Sequence, residues 1–190
     1  MRVSRWKPLV LGLAAIGHLQ AESGSSLSKP FFKSIFFNGR TYQHRWSNGG
    51  QHEFTPTGQE DLSSWMDMLT LWVDPRVRDA ASLASEVDRV VASYRKINGQ
   101  NLNVFFIPNG SERSGEYFIS ARLGNSPVVE FVAARFVLHE TQGVGIMYSH
   151  RIYGPSAAER LIPWMESHGP ELAVVLLYLK PSDLLITSTR

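Results

Sequence analysis

Apolar and polar residues alternate along much of this chain with the two-residue period of half-buried β-strands. Residues 34–37 and 40–46 flank Asn38-Gly39, a dipeptide that favours a hairpin because both of its residues tolerate positive φ. A second turn at 47–50 leads into a strand over 51–55. The alternation therefore predicts an antiparallel meander at this end of the domain.

The period then changes to that of helices. Glu60–Met66 predicts a short helix and Met68–Val73 a strand, although one continuous helix over 60–73 fits the same apolar spacing. From Ala80 to Ile97, apolar residues recur at three- and four-residue intervals and predict a long helix that begins after Asp79 as its cap.

Four strand-like segments follow, and the turns between them are too short for parallel crossovers. These segments are 102–107, 116–123, 128–138 and 144–153. A helix is predicted from Ser156 to Glu166, with a kink at Pro163, and a closing helix over 172–179. The order predicts an α+β domain in which an antiparallel sheet of about six strands packs with a long central helix and C-terminal helices, on one or both faces.

Residues 1–21 have the pattern of an export signal. Three basic residues precede an apolar run of about ten residues, and Ala21 precedes a plausible cleavage point. A buried N-terminal element of a cytosolic protein is the alternative. The run is too short to span a bilayer, which needs roughly 20 residues. We expect a periplasmic or secreted protein, with no integral membrane segment after signal cleavage.

Length and composition favour one domain. The chain has 190 residues, of which 43% are hydrophobic, and it has no Cys, which excludes a disulfide scaffold and thiol catalysis. Residues 22–32 are rich in Ser and Gly and predict a flexible lead-in, 33–180 the domain, and 181–190 a loose C-terminal tail.

The charge balance gives no support to nucleic-acid binding. The chain carries a formal charge of +2, but removal of residues 1–21 leaves 16 basic and 17 acidic side chains, a charge of −1. Gly143-Val144-Gly145 precedes no helix and lacks the third glycine of a phosphate loop. We expect no cofactor, and because no His pair has the spacing of a zinc protease, we expect no metal.

A His and a Glu are candidates for acid–base chemistry on the first meander. If the turn takes up all of 47–50, His44 lies opposite Glu53 on the neighbouring strand, and Arg45 opposite His52. A carboxylate beside an imidazole fixes its tautomer and could prepare it for proton transfer. An ordinary surface pair is the simpler interpretation.

The last strand carries the densest group of candidate residues. Tyr148 and His150 alternate onto one face, and Arg151 and Tyr153 onto the other. His150 is a weak catalytic candidate because a hydrogen-bonded core histidine fits the same position. Ser149 cannot use it as a base, since adjacent strand residues point apart.

Arginines on neighbouring strands are candidates for binding. Arg122, Arg135 and Arg151 could share one sheet face and bind an acidic ligand or a partner. Tyr153 flanks Arg151, and Tyr148 is a further candidate for binding. The alternative is that interleaved glutamates neutralise them. These glutamates are Glu116 and Glu130.

The sequence predicts a non-catalytic binding or interaction protein, one that acts on a protein partner as an inhibitor or immunity protein does. A small ligand of the cell envelope is a further possible partner. The alternative is a small envelope hydrolase that uses His, Glu and Arg residues on the sheet, with His150 beside Arg151 or His44 beside Glu53. A passive envelope-stability protein is a third interpretation.

Overall fold

The computed structural model describes residues 34–111 and 114–185. The predicted signal at 1–21, the predicted lead-in at 22–32 and residues 186–190 lie outside this part. In the part that is described, no helix is long and apolar enough to cross a membrane.

The described residues form eight strands and three helices. The strands are β1 (Ser34–Phe37), β2 (Arg40–Asn48), β3 (Gln51–Pro56), β4 (Asp67–Asp74), β5 (Gln100–Ser111), β6 (Ser114–Asn125), β7 (Val128–His139) and β8 (Gln142–Tyr153). The helices are α1 (Ala80–Lys96), α2 (Ala157–Tyr178) and α3 (Pro181–Leu184). The predicted α+β class with an antiparallel sheet is confirmed, but the strands number eight rather than about six.

All eight strands belong to one antiparallel sheet, in the order β1-β2-β3-β4-β8-β7-β6-β5. The chain thus makes two four-stranded meanders, β1–β4 and β5–β8. They join where β4 pairs with β8, from Asp67 opposite His150 to Asp74 opposite Gly143. This pairing brings the start of β4 beside the predicted site on β8.

Each face of the sheet packs against one long helix. On the α2 face, Ile146 and Phe131 pack with Leu161 of α2 in one buried cluster. On the α1 face, Met147 and Val132 belong to a second cluster that includes α1. Residues that alternate along β7 and β8 therefore enter different cores, as the predicted alternation of β8 requires.

Helix α1 follows its predicted bounds closely. The side chain of Asp79 accepts a hydrogen bond from Ser82 N at 2.7 Å, and Ser82 bonds back to the cap backbone. Its apolar stripe is buried against the sheet, with Leu83 and Val90 fully covered. Capping and amphipathic spacing act together here, which explains why sequence alone located this helix.

Helix α2 is one continuous helix and runs through both of its prolines. The prediction of separate helices on either side of Gly169-Pro170 is therefore wrong. Each proline removes one backbone donor. Between them, Ser167 Oγ donates to Pro163 O at 2.8 Å and His168 Nδ1 lies 2.9 Å from Trp164 O. Side chains thus supply extra bonds to the carbonyls of this turn.

Two further segments differ from the expectation. Residues 60–66 form turns rather than a helix, and Asp61 accepts hydrogen bonds there from Ser63 and Ser64. Short acid–serine contacts of this kind compete with helical bonding. Residues 181–184, expected within a loose tail, form α3, where Leu184 is buried in the core on the α2 face.

The register of the β2–β3 hairpin also differs. Asn48 pairs with Gln51, so only Gly49-Gly50 forms the turn, and the ladder shifts between His44 and Trp46. As a result His44 lies opposite Phe54, and Glu53 opposite Trp46. The predicted pairing of His44 with Glu53 is therefore wrong. A shorter turn and a bulge each displace the register by whole residues.

Candidate functional sites

A buried carboxylate gathers polar groups at the start of β4. Asp67 is 7% exposed, and its Oδ1 accepts a hydrogen bond from Tyr148 Oη at 2.7 Å and lies 2.8 Å from His150 Nδ1. Its Oδ2 accepts from Arg40 Nη1 at 3.0 Å and Gln59 Nε2 at 3.2 Å. Four side chains from three segments, namely β8, β2 and the loop before β4, thus converge on one carboxylate.

These contacts keep Asp67 ionised. Burial alone would raise the pKa of Asp67, but hydrogen bonds from His150, Tyr148 and Gln59 outweigh it and lower the pKa to about 2. Burial and the neighbouring Asp67 both raise the pKa of Tyr148, which keeps its phenol protonated as a donor. The carboxylate therefore holds the proton of His150 on Nδ1.

The imidazole of His150 also stacks on an aromatic ring of α2. The rings of His150 and Trp164 are parallel within 5°, with centroids 3.8 Å apart. His168 also stacks on Trp164, at 4.8 Å and 13°. The His150 side chain remains 14% exposed. The cluster joins β4, β8 and α2 and leaves its imidazole within reach of water.

Arg151 lies on the opposite face of the sheet and is engaged inside the protein. Its Nε donates to Glu130 Oε2 at 2.8 Å, and its guanidinium carbon lies 3.9 Å from the Trp65 ring centroid. Tyr153 Oη donates to Trp65 O at 2.7 Å. The hypothesis that Arg151 shares a face with the other two arginines is wrong. Arg135 pairs with Ile146 on the α2 face, whereas Arg151 alternates with Met147 onto the α1 face.

Glu53 is buried on the α1 face. Gln51 Nε2 donates to its Oε1 at 2.9 Å. Burial raises the pKa of Glu53, and the Gln51 bond and the charge of Arg151 only partly oppose this. His44 points to the α2 face, so the two side chains cannot act as an acid–base pair.

Arg135 supports the end of α2 from the α2 face. It pairs with Glu116 at 2.6 Å, and its Nη1 donates to Leu179 O at 2.7 Å and to Leu176 O at 3.3 Å. A cavity of about 260 Å³ lies beside this pair. Its lining residues are Ile107, Pro108, Asn109, Glu116 and Arg135.

Arg122 lies on the same face as Arg135, and its Nη2 donates to Gln100 Oε1 of β5. The interpretation in which glutamates neutralise the arginines is confirmed for Arg135 and Arg151. These two guanidiniums hold the fold together, and their charges are already matched.

A second pair of histidines meets on the β2–β3 hairpin. His44 Nε2 lies 2.6 Å from Ser47 Oγ, and His52 Nδ1 lies 2.7 Å from the same oxygen. The two ring centroids are 5.9 Å apart. Sequence reasoning missed this pair because it placed His52 opposite Arg45, whereas the shorter turn places it opposite Ser47.

Strand β5 forms one edge of the sheet and exposes three consecutive large apolar side chains. Val104 is 42% exposed, Phe105 55% and Phe106 44%. Phe105 pairs with Phe118 on the α2 face, whereas Val104 and Phe106 lie on the α1 face. The edge is thus apolar on both sides of the sheet, and none of its twelve residues is charged.

Sequence reasoning located His150, Tyr148 and their shared face but not the groups that meet them. Asp67 and Trp164 were missed as members of a site. The alternation of Asp67 with Leu69 and Leu71, both buried on the α2 face, is the signal that could have placed Asp67 there.

Comparisons with known proteins place this α+β chain in a family. A family model matches residues 31–173, most of the chain, so the chain belongs to that family. No curated protein matches it. Among solved structures, human STARD10 is similar over 71% of each chain, at 10% identity and a TM-score of 0.31, a likeness too low to support conclusions about fold or function.

Proposed function

We propose that this chain is an exported interaction protein that binds a partner protein by adding a segment of that partner to its sheet along β5. The observation that carries the proposal is the exposure of Val104, Phe105 and Phe106 on a twelve-residue edge strand. Natural edge strands are usually shortened, charged or covered, because an open edge pairs with other chains. The opposite edge, β1, has only four residues.

The chemistry of β5 specifies the kind of segment that fits. Strand addition uses main-chain hydrogen bonds for affinity and alternate side chains for specificity. Because β5 carries no charge and is apolar on both faces, a charged segment would be desolvated beside Phe105 or Phe106 without a counter-ion. The partner segment is therefore extended and uncharged, with apolar side chains on both faces.

Two of the three candidate arginines are already engaged inside the fold. Arg135 and Arg151 are paired with glutamates and bonded within the fold. An inhibitor or immunity protein that recognises its partner through β5 would leave these buried pairs unchanged on binding. The apolar edge, and not the arginine set, carries the interaction.

Export rests on residues 1–21 and has its own test. Three basic residues, a short apolar run and Ala21 support cleavage before Glu22. Mass spectrometry of the protein recovered from the envelope fraction should find Glu22 as its first residue. Recovery of an intact Met1–Ala21 segment on cytosolic protein would contradict export.

Photo-cross-linking tests the interaction. Phe106→benzoylphenylalanine extends the half-exposed ring on β5 with a photoreactive benzoyl group, and Phe36→benzoylphenylalanine on β1 is the matched control, since Phe36 is 69% exposed. We expect adducts of one partner from the envelope fraction at position 106, mapped to an uncharged segment. Adding Phe105→Lys should abolish them, and Phe36→Lys should not.

Three outcomes overturn the proposal. Equal adducts at positions 36 and 106 would show unspecific capture. Adducts that survive Phe105→Lys would place the contact elsewhere. Adducts only with a second copy of the chain would mean that β5 serves self-association instead of partner binding.

A second candidate, a small hydrolase with His150 as general base, is favoured by the 2.8 Å contact between His150 Nδ1 and Asp67. An ionised carboxylate at Nδ1 leaves Nε2 as the proton acceptor, the arrangement that activates water or a hydroxyl. Turnover of short-chain p-nitrophenyl esters should then fall to the buffer rate in His150→Gln and persist in His139→Gln. No turnover by the unaltered protein would exclude it as an esterase.

A further inference from the structure

The β2–β3 hairpin directs two imidazoles to one point. Ser47 pairs directly with His52 across the hairpin, and the ladder shift between His44 and Trp46 brings His44 to the same face as Ser47. His44 Nε2 and His52 Nδ1 lie 2.6 and 2.7 Å from Ser47 Oγ. Both ring nitrogens therefore aim at one small polar volume.

We infer that His44 and His52 form a binding site for a divalent transition-metal ion, and that Cu²⁺ is the ion they bind most tightly. Imidazole suits Cu²⁺, Ni²⁺ and Zn²⁺, and among divalent ions of this row a given nitrogen site binds Cu²⁺ most tightly. The site is separate from the β5 edge and does not depend on the function proposed for it.

The distances leave room for an ion in place of the hydroxyl contact. Metal–imidazole bonds are about 2.0–2.1 Å long. Each ring nitrogen would therefore approach the position of Ser47 Oγ by about 0.6 Å, within the reach of small side-chain rotations. Ser47 itself is exposed, so its side chain can turn outward and water can complete the coordination.

Ring packing holds one of the two imidazoles in place. The His44 ring meets Phe54 edge-on at 5.1 Å, which fixes its orientation.

The site supplies two protein ligands and no more. Within residues 34–111 and 114–185, no group of three His, Cys, Asp or Glu side chains is placed to hold a metal ion. Water must fill the remaining positions, which fits the tetragonal, water-tolerant coordination of Cu²⁺ better than a closed tetrahedral zinc site.

Calorimetric titration with Cu²⁺ and electron paramagnetic resonance test the site on the full chain. We expect one tight equivalent whose spectrum shows two imidazole nitrogens. His44→Gln and His52→Gln should each lower the affinity at least about tenfold and leave a one-nitrogen spectrum. His139→Gln, at the end of β7, is the matched control and should change neither.

Ser47→Ala distinguishes the metal site from a mere hydrogen-bonded triad. It removes the hydroxyl between the rings, so Cu²⁺ affinity should be kept or rise. Unchanged affinity in both His44→Gln and His52→Gln would overturn the inference, as would an equal loss in His139→Gln. Loss of binding in Ser47→Ala with a folded circular-dichroism spectrum would also contradict it.

Discussion

The imidazole of His150 lies flat on the indole of Trp164, with the two ring centroids 3.8 Å apart and the planes 5° apart. His150 belongs to β8 and Trp164 to α2, so this stack is a direct link between the sheet and the helix that covers it. Asp67 contacts the edge of the same imidazole at Nδ1, so the ring has one partner on its edge and another on its face.

Removal of the indole should therefore loosen α2. Trp164→Ala deletes a large ring that also contacts Phe131 and His168, and we expect unfolding to become easier by about 3 kcal/mol. Trp46→Ala, at a partly exposed indole on β2, should cost less than about 1 kcal/mol. Urea denaturation followed by circular dichroism gives both values. Equal losses would contradict a special role for Trp164.

Asp67 should make stability depend on acid pH. Its folded pKa of about 2 lies below the ordinary 3.8, so its contribution is present above pH 4 and is lost as pH falls towards 2. The difference corresponds to about 2 kcal/mol. Asp67→Asn should lose that amount at pH 6 and show a shallower loss of stability between pH 4 and 2. The exposed Asp88→Asn variant should follow the unaltered protein in urea titrations at each pH.

Glu53 should act in the opposite direction. Because burial raises its folded pKa, ionisation at higher pH opposes folding, and stability is lost as pH rises through that pKa. Glu53→Gln keeps an acceptor for Gln51 and should melt at a higher temperature at pH 8, with the gain shrinking towards pH 4. Glu166→Gln, on the exposed side of α2, should show no such trend. A lower melting temperature for Glu53→Gln at pH 8 would contradict the sign.

Arg135 should govern the last turn of α2. Arg135→Leu removes the donor to Leu179 O and leaves Glu116 without its partner, at a cost of about 2–3 kcal/mol. Hydrogen–deuterium exchange should rise at residues 176–179. Arg122→Leu is the control, because Arg122 bonds to Gln100 of β5 and not to α2. Exchange in the last turn of α2 should not change in this variant. Unchanged exchange in Arg135→Leu would remove its role as a cap.

Local chemistry made much of the fold predictable. Asn38 and Gly39 both take positive φ in the first hairpin, and Asp79 with a regular apolar stripe defined α1. The helix predicted for residues 60–66 does not form. Their apolar spacing suits a helix, but Asp61 accepts hydrogen bonds from the nearby Ser63, and these bonds stabilise turns instead. Spacing alone cannot rank these competing bonds.

The candidate sites depended on contacts that spacing does not encode. Asp67 and His150 lie 83 positions apart, and they meet only because β4 pairs with β8 in one register. The predicted partner of His44 was wrong because the hairpin contains a bulge and its turn is two residues shorter than expected. Together these place His44 opposite Phe54 instead of Glu53. Such shifts arise from backbone geometry that depends on the whole hairpin.

The β4–β8 ladder is the boundary between the two meanders of the sheet. Each meander has only local strand pairings, and the β4–β8 ladder is where the two hydrogen-bond to each other. Non-local pairings form late and slowly. A cut between Asn98 and Gly99 would divide the chain into one half that ends after α1 and one that begins with β5. We expect the two halves to reassociate by forming the β4–β8 ladder, while α1 packs again on β6 and β7.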